Sequence, residues 1–258
     1  MFFCRKLPLS LLLSCLFLPA VQAVERQDFV IAIDTGHSPT QPGATSARGK
    51  PEYLFNKAIT RQLHQKLQSL GFTGSFLVNE AEAEVSLASR PAEASQKKAS
   101  LFISIHHDSV NPRYLGNWEY ATQKNHYSDH FRGYSMFIFE AQRPESLYFA
   151  EQLGENLLSR GLTPSLHHAE KIQEKNGKVA ENYPLLDRLK GIYTSQHRVL
   201  KLSTQPAALL LECGVIVHRE EELLLETPEY QAKLVNAVAD SIGQYFNQLQ
   251  ANNTLIQQ

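Results

Sequence analysis

Three apolar runs in this sequence each lead into a side chain that can bind a metal ion or transfer a proton. These side chains are His37 after the run 29–34, His106 after the run 101–105, and Glu212 after the run 207–211. Two imidazoles and one carboxylate form a catalytic metal set when a fourth position stays open for water, and zinc suits these ligands. A second carboxylate close by can act as general base, and Glu52, at the start of the helix that follows the first strand, can face the same edge. The residue types therefore favour metal-assisted chemistry.

Each of these side chains also has an ordinary structural explanation. A single His is usually a hydrogen-bonded group without a catalytic role. Glu52 lies where a helix is predicted to begin, and a carboxylate there can serve only as a partner of the helix dipole. Residue spacing alone leaves the metal site and the structural roles about equally open.

The elements that must position these side chains alternate between strand and helix patterns. Continuous apolar runs are typical of strands covered on both faces, and helical spacing of apolar residues separates them. We predict strands over 29–34, 74–79, 101–105, 134–139 and 207–211, and helices over 54–70, 86–99, 144–158 and 228–249. This alternation predicts a single α/β domain of hydrolase-like type, with a twisted, mainly parallel sheet flanked by helices. Ligands bind beyond the carboxyl ends of such strands, so the chemical residues are expected at one edge.

Two polar stretches do not follow this alternation. The stretch 110–133 is rich in aromatic and His residues, and the stretch 163–189 is charged and carries His167 and His168. Long connections without periodicity are often functional loops. Both stretches could equally be solvent-exposed excursions, and the sequence does not decide between these interpretations.

The composition is that of a globular protein and excludes several classes. The chain has 258 residues, 43% of them hydrophobic and 20% charged, which excludes collagen-like, coiled-coil and wholly disordered proteins. Its formal net charge of −1 lacks the basic excess that nucleic-acid binding requires, so we expect no nucleic-acid partner. Three Cys residues are too few for a disulfide-stapled scaffold.

The first residues have the pattern of a secretory signal peptide. Arg5 and Lys6 precede an apolar stretch over 7–20, and small residues precede a cleavage point after Ala23. We therefore predict a signal peptide over 1–23 and a catalytic domain over 24–258, with no membrane anchor after cleavage. An uncleaved anchor and lipid attachment at Cys15 are the alternatives.

Cleavage after Ala23 would change the net charge and the number of Cys residues. Loss of Arg5 and Lys6 takes the formal net charge from −1 to −3, and Cys213 becomes the single thiol. A chain with one Cys cannot form an internal disulfide. These features predict a periplasmic or secreted enzyme.

Five segments together resemble the zinc-dependent N-acetylmuramoyl-L-alanine amidases of the amidase-3 family, which cleave peptidoglycan. The segments are AIDTGHSPTQPGA (32–44), GKPEYLFNKAITRQLHQKL (49–67), SLASRPAEASQKKASLFISIHHDS (86–109), GYSMFIF (133–139) and PAALLLECGVIVHREEELLL (206–225). They occur in the order of the family's motifs, and the resemblance extends over nearly the whole predicted mature chain.

The resemblance implies roles for four residues. It implies that Zn²⁺ is bound by His37, Glu52 and His106, and that Glu212 is the catalytic carboxylate. The implied reaction is hydrolysis of the amide bond between N-acetylmuramic acid and L-alanine. The implied partner is therefore peptidoglycan or a muropeptide. We expect a monomer, and the sequence identifies no protein activator.

Three further residues are candidates for support or substrate contact. Asp34 resembles the family's aspartate before the first His and is expected to orient a ligand, and Asn56 matches the asparagine of the family's helix motif. His107 stands where the family usually has alanine. It could contact substrate at the rim, but we expect an exposed residue without a role.

The sequence is also compatible with other functions. His106 and Asp108 form an H-x-D pattern, which a third His would complete to the facial triad of a non-haem iron oxygenase. Cys213 with a His could form a cysteine hydrolase, although a buried Cys is usually inert. A catalytically inactive cell-wall-binding protein is a further alternative.

Overall fold

The computed structural model of the chain describes residues 24–139, 144–173, 179–181 and 183–255. The predicted signal peptide 1–23, including Cys15, lies outside the described residues. Among the helices of the described ranges, none is both long and apolar enough to cross a bilayer.

Strands and helices alternate along most of the chain. The strands are β1 (Ile31–Thr35), β2 (Ser75–Val78), β3 (Leu101–Asp108), β4 (Gly116–Tyr120), β5 (Gln123–Tyr127), β6 (Ser135–Ile138), β7 (Lys171–Gln173), β8 (Val179–Glu181), β9 (Leu185–Asp187), β10 (Ile192–Thr194) and β11 (Ala207–Val215). The helices are α1 (Glu52–Ser69), α2 (Ser89–Gln96), α3 (Pro144–Ser159), α4 (Arg198–Lys201), α5 (Arg219–Leu225) and α6 (Pro228–Leu255).

Seven strands form one mixed sheet in the order β2-β1-β3-β11-β6-β10-β9. Neighbours are parallel from β2 through to β11 and between β6 and β10. The pairs β11–β6 and β10–β9 are antiparallel. The prediction of an α/β fold with a mainly parallel sheet is confirmed, with the antiparallel pairs as an addition.

The two faces of the sheet carry cores of different size. Helices α1, α3 and α6 cover one face and form the larger core, into which Ile103 and Ile105 of β3 point. The other face holds a smaller core that includes Phe102 and Leu210. Because side chains alternate along a strand, this division decides which polar residues can meet. The side chains of His106, Asp108 and Glu212 lie on the same face of the sheet as the smaller core.

The central strands are longer than their apolar runs predict. Strand β3 continues through Asp108, and β11 continues through Val215. Glu212 pairs with His106 in the parallel register, so both lie within strands and not beyond them. The backbone ladder holds these polar residues in extended conformation, which a hydrophobic pattern cannot show.

The polar stretch 110–133 contains the hairpin β4–β5. Its turn residues Ala121 and Thr122 have φ of 48° and 66°. The turn lacks the Asn-Gly or Asp-Gly pair that usually marks a two-residue hairpin, so the sequence did not predict it. The Trp118 indole fixes the hairpin by donating to the Ala47 carbonyl over 2.7 Å.

Candidate metal centre

Three predicted ligands meet at the edge of the sheet. Glu52 Oε2 lies 3.0 Å from His37 Nε2, and Glu52 Oε1 lies 3.1 Å from His106 Nδ1. The three candidate ligand atoms are all within 4.8 Å of one another. His37 comes from the loop after β1, Glu52 from the start of α1, and His106 from β3. The tertiary structure thus brings together residues that are far apart in the chain.

Glu52 is held as a carboxylate. Burial would raise the pKa of Glu52, but hydrogen bonds and charges from His106 and His37 hold it well below its usual range. The Ala44 amide donates to Oε2 over 3.0 Å, and the Asn56 amide donates to Oε1 over 3.1 Å. Glu52 therefore keeps both the charge and the orientation that a metal ligand requires.

The backbone around His37 leaves no room for larger residues. His37 has φ of 68°, in the left-handed region. A Cβ atom on Gly36 would lie 2.5 Å from the His106 ring, and a Cβ atom on Gly43 would lie 2.4 Å from Glu52 Oε2. These two glycines therefore permit the close approach of the loop to the candidate ligands.

Asp34 acts on the site through Arg90. The Arg90 guanidinium donates to Asp34 Oδ1 over 2.7 Å and to the His37 carbonyl over 2.5 Å. The Ser104 hydroxyl donates to Asp34 Oδ2 over 2.6 Å. Asp34 was expected to orient a ligand. The structure shows contact with the loop that carries His37, by way of Arg90, a residue to which sequence reasoning gave no role.

The prediction that His107 is exposed is wrong. His107 is only 2% exposed, because it lies between two residues of β3 that face the smaller core and therefore points towards α1. Its Nδ1 lies 2.7 Å from the Asn56 Oδ1, while the Asn56 amide contacts Glu52. Burial, the largest influence, lowers the pKa of His107 to about 3, so the ring is neutral. His107 thus supports Glu52 through Asn56, which contacts both residues.

Glu212 lies on the same face as His106. Its Oε2 is inaccessible to solvent and has no hydrogen-bond partner among the described residues. Burial, and then the charges of Asp108 and Glu52, raise the pKa of Glu212 well above its usual value. A raised pKa favours exchange of a proton under conditions closer to neutral than an ordinary carboxyl group allows, which suits an acid–base role.

The donor set fits a zinc ion. Two imidazole nitrogens and a deprotonated carboxylate are the ligands of many catalytic zinc sites, with a position left for water. A cleft of about 290 Å³ opens onto His37 and His106 and is also lined by Gln41, Leu87 and Val199. His37, Glu52 and His106 could therefore hold Zn²⁺ in a position that substrate can reach.

The arrangement gives no support to the two rival chemistries. Asp108 Oδ2 contacts His167 and His168, whereas His106 meets His37 and Glu52, so the H-x-D pattern is divided between two clusters. Cys213 is fully buried in the larger core, and burial raises its pKa well above the usual value. A buried, protonated thiol is a poor nucleophile.

Sequence reasoning did not connect Asp108 with the His pair of the stretch 163–189. Asp108 Oδ2 lies 2.5 Å from His168 Nε2 and 3.3 Å from His167 Nε2. Burial would raise the pKa of Asp108, but the charges and close contacts of the two His residues lower it to about 2. The adjacent His residues were a visible signal, but their partner is about sixty positions away and only the fold shows it.

The family model for N-acetylmuramoyl-L-alanine amidases of the Amidase_3 type matches residues 31–244. A putative N-acetylmuramoyl-L-alanine amidase of Buchnera aphidicola subsp. Schizaphis graminum is 26% identical over 231 residues, covering 83% of this chain and 95% of that protein. AmiA of Escherichia coli K12 is 25% identical over 228 residues, covering 84% and 76%. The amidase structure from Clostridium difficile 630 shares the fold at a TM-score of 0.65 and 20% identity, covering 85% and 97%. Since the family model matches most of the sequence, the chain belongs to the N-acetylmuramoyl-L-alanine amidase family.

Proposed function

We propose that this protein is a zinc-dependent hydrolase of the amide bond between N-acetylmuramic acid and L-alanine in peptidoglycan. The observation that carries the proposal is the meeting of His37, Glu52 and His106, with candidate ligand atoms within 4.8 Å. Glu212 stands beside them on the neighbouring strand, paired with His106. Membership of the amidase family supports the choice of substrate.

In the proposed mechanism the chain supplies position and proton transfer. Zinc, when bound, supplies Lewis-acid polarisation of the scissile carbonyl and of the attacking water. Glu212 takes a proton from that water and returns it to the leaving amine. Arg90 restrains the His37 loop by donating to the His37 carbonyl, and the Asn56 amide donates to Glu52. The raised pKa of Glu212 matches a group that must accept and then release a proton.

We propose that the protein acts outside the cytoplasm, in the periplasm or after secretion. The sequence pattern over 1–23 supports export, and peptidoglycan lies in that compartment. The proposed partner is the wall substrate, no protein activator is identified, and the proposed state is a monomer. The alternative of a catalytically inactive wall-binding protein has no support from the site, because all four chemical residues are present together.

The direct test is mass spectrometry of peptidoglycan digested with the purified protein. We expect free stem peptides, because the proposed cleavage separates L-alanine from the sugar. The metal chelator EDTA should abolish release and added Zn²⁺ should restore it, whereas a thiol reagent should have no effect because Cys213 is buried. Metal analysis distinguishes zinc from iron. Release of disaccharide-peptides instead, or no release at all, would contradict the proposal.

A matched pair of glycine variants tests whether the position of the His106 ring depends on the absence of a side chain at Gly36. We expect Gly36→Ala to weaken zinc binding on the order of ten- to a hundredfold, because the added methyl must displace the His106 ring. In the control Gly243→Ala, the new methyl meets open space in α6. That control should gain about 0.5–1 kcal/mol of stability with unchanged zinc affinity. Competition titration with a chromogenic chelator measures the affinity, and equal affinity for Gly36→Ala and the native protein would refute the argument.

A further inference from the structure

A second cluster of metal-ligand type lies outside the site described above. It consists of Asp108 at the end of β3 and the adjacent residues His167 and His168 of a 3-10 turn. Both imidazoles direct Nε2 at the same carboxylate oxygen, with distances to Asp108 Oδ2 of 3.3 Å for His167 and 2.5 Å for His168. The three atoms lie within 4.8 Å of one another. This is a complete two-histidine, one-carboxylate set.

The His167 ring supplies independent evidence of a missing partner. His167 is only 7% exposed, and its Nε2 is inaccessible to solvent without a hydrogen bond among the described residues. Buried polar atoms are normally paired, so an unpaired one aimed into a cluster points to a bound partner such as a metal ion. The contact to Asp108 is short enough for attraction but does not have hydrogen-bond geometry.

Both imidazole rings are held in place by their surroundings. His167 Nδ1 lies 2.8 Å from the Ser165 hydroxyl, which leaves Nε2 to face Asp108. The His168 ring packs edgewise against Phe137 and Tyr183, at centroid distances of 4.9 Å and 5.5 Å. Rings fixed by hydrogen bonding and packing are preorganised as metal ligands.

A simple ion-pair network explains this geometry less well. The two rings lie with their centroids 3.9 Å apart, so two protonated imidazoles would repel each other at close range. A neutral His168 can donate Nε2–H to Asp108, but this hydrogen bond leaves the buried His167 Nε2 without a partner among the described residues. A divalent cation among the three atoms would give His167 Nε2 a partner and would not require two protonated rings to face each other. The nearby cation Arg113 is already paired with Glu170, at 2.6 Å.

We propose that Asp108, His167 and His168 form a second metal site, separate from the centre of His37, Glu52 and His106. Two imidazole nitrogens and one carboxylate oxygen suit Zn²⁺ or a similar first-row divalent ion. A cleft of about 290 Å³, lined in part by Asn111, Glu170 and Tyr183, leads to the cluster. An ion there ties the segment around His167 to β3 and places positive charge on the same face as Glu212.

The test counts zinc ions in the full-length exported protein. Metal-free protein is titrated with Zn²⁺ against a chromogenic chelator, and bound metal is measured by mass spectrometry. We expect two equivalents for the native protein and one for the double variant His37→Ala, His106→Ala. Adding His168→Ala to that double variant should remove the remaining equivalent. The exposed His126 offers the matched control, since His126→Ala in the same background should retain it.

Further variants distinguish the loss of a metal ligand from misfolding of the protein. Asp108→Asn and His168→Gln keep side-chain size and should each lose one equivalent while the thermal unfolding curve remains cooperative. Ser165→Ala should weaken the second equivalent by about ten- to a hundredfold, since Ser165 orients His167. The proposal is overturned if the double variant binds no zinc, or if the equivalent persists after His168→Ala. These outcomes are independent of peptidoglycan cleavage, so failure of the amidase proposal would be seen separately.

Discussion

Glu212→Gln is expected to reduce turnover of peptidoglycan by about 10²- to 10⁴-fold while the zinc content stays that of the native protein. The substitution keeps the size of the side chain but removes the group that takes and returns the proton. Glu212 does not belong to the set of atoms that meet at His37 and Glu52, so metal binding should survive. Stem-peptide release measured by mass spectrometry gives the rate, and metal analysis gives the zinc content.

Two controls separate the role of Glu212 from general effects of lost charge. Glu155→Gln removes an exposed carboxylate paired with Lys190 at 3.0 Å and should leave turnover unchanged. His106→Ala should lose one zinc equivalent together with activity, because it removes a proposed ligand. Near-native turnover in Glu212→Gln would show that another group moves the proton.

Arg90→Met is expected to lower the free energy of unfolding by about 3–5 kcal/mol. The substitution leaves the Asp34 carboxylate uncompensated in the interior, where its side chain is only 1% exposed. It also removes the donor to the His37 carbonyl, so the loop that carries this proposed ligand loses its restraint. Urea denaturation of the zinc-free protein measures stability, and chelator competition measures zinc affinity.

A second substitution distinguishes the stability effect from the effect on the site. Asp34→Leu combined with Arg90→Met should recover much of the stability, because an apolar pair can replace a buried ion pair with little cost. Zinc affinity should stay low in the double variant, since the contact to His37 is still missing. As surface control, Arg160→Met breaks a pair with Asp240 and should cost at most about 1 kcal/mol. Equal destabilisation by Arg90→Met and Arg160→Met would contradict this account.

The apolar runs predicted the centre of the sheet and the edge strand β2, but not the opposite edge. The strands β1, β3 and β11 were visible because strands buried on both faces must be apolar throughout. The short strands β9 and β10 and the hairpin β4–β5 carry no such signal. The mixed direction was also hidden, because the antiparallel pairing of β6 with β11 depends on how the chain returns to the sheet.

The resemblance to amidases is confirmed by the family match over residues 31–244. The proposed roles of His37, Glu52, His106 and Glu212 remain predictions, although the structure places these residues together. The error concerning His107 has a specific cause. Neighbouring residues of a strand point to opposite faces, and the sequence alone did not show that β3 continues beyond Ile105.

The α/β class, the family and the set of residues able to bind a metal or transfer a proton follow from the amino-acid sequence alone. These depend on residue types and on local periodicity, which a linear chain displays directly. The folded chain is needed to show that Arg90 links Asp34 to the His37 loop, and that Asp108 meets His167 and His168. Such contacts depend on strand register and on the face to which each side chain points, and both are set when distant segments pack together.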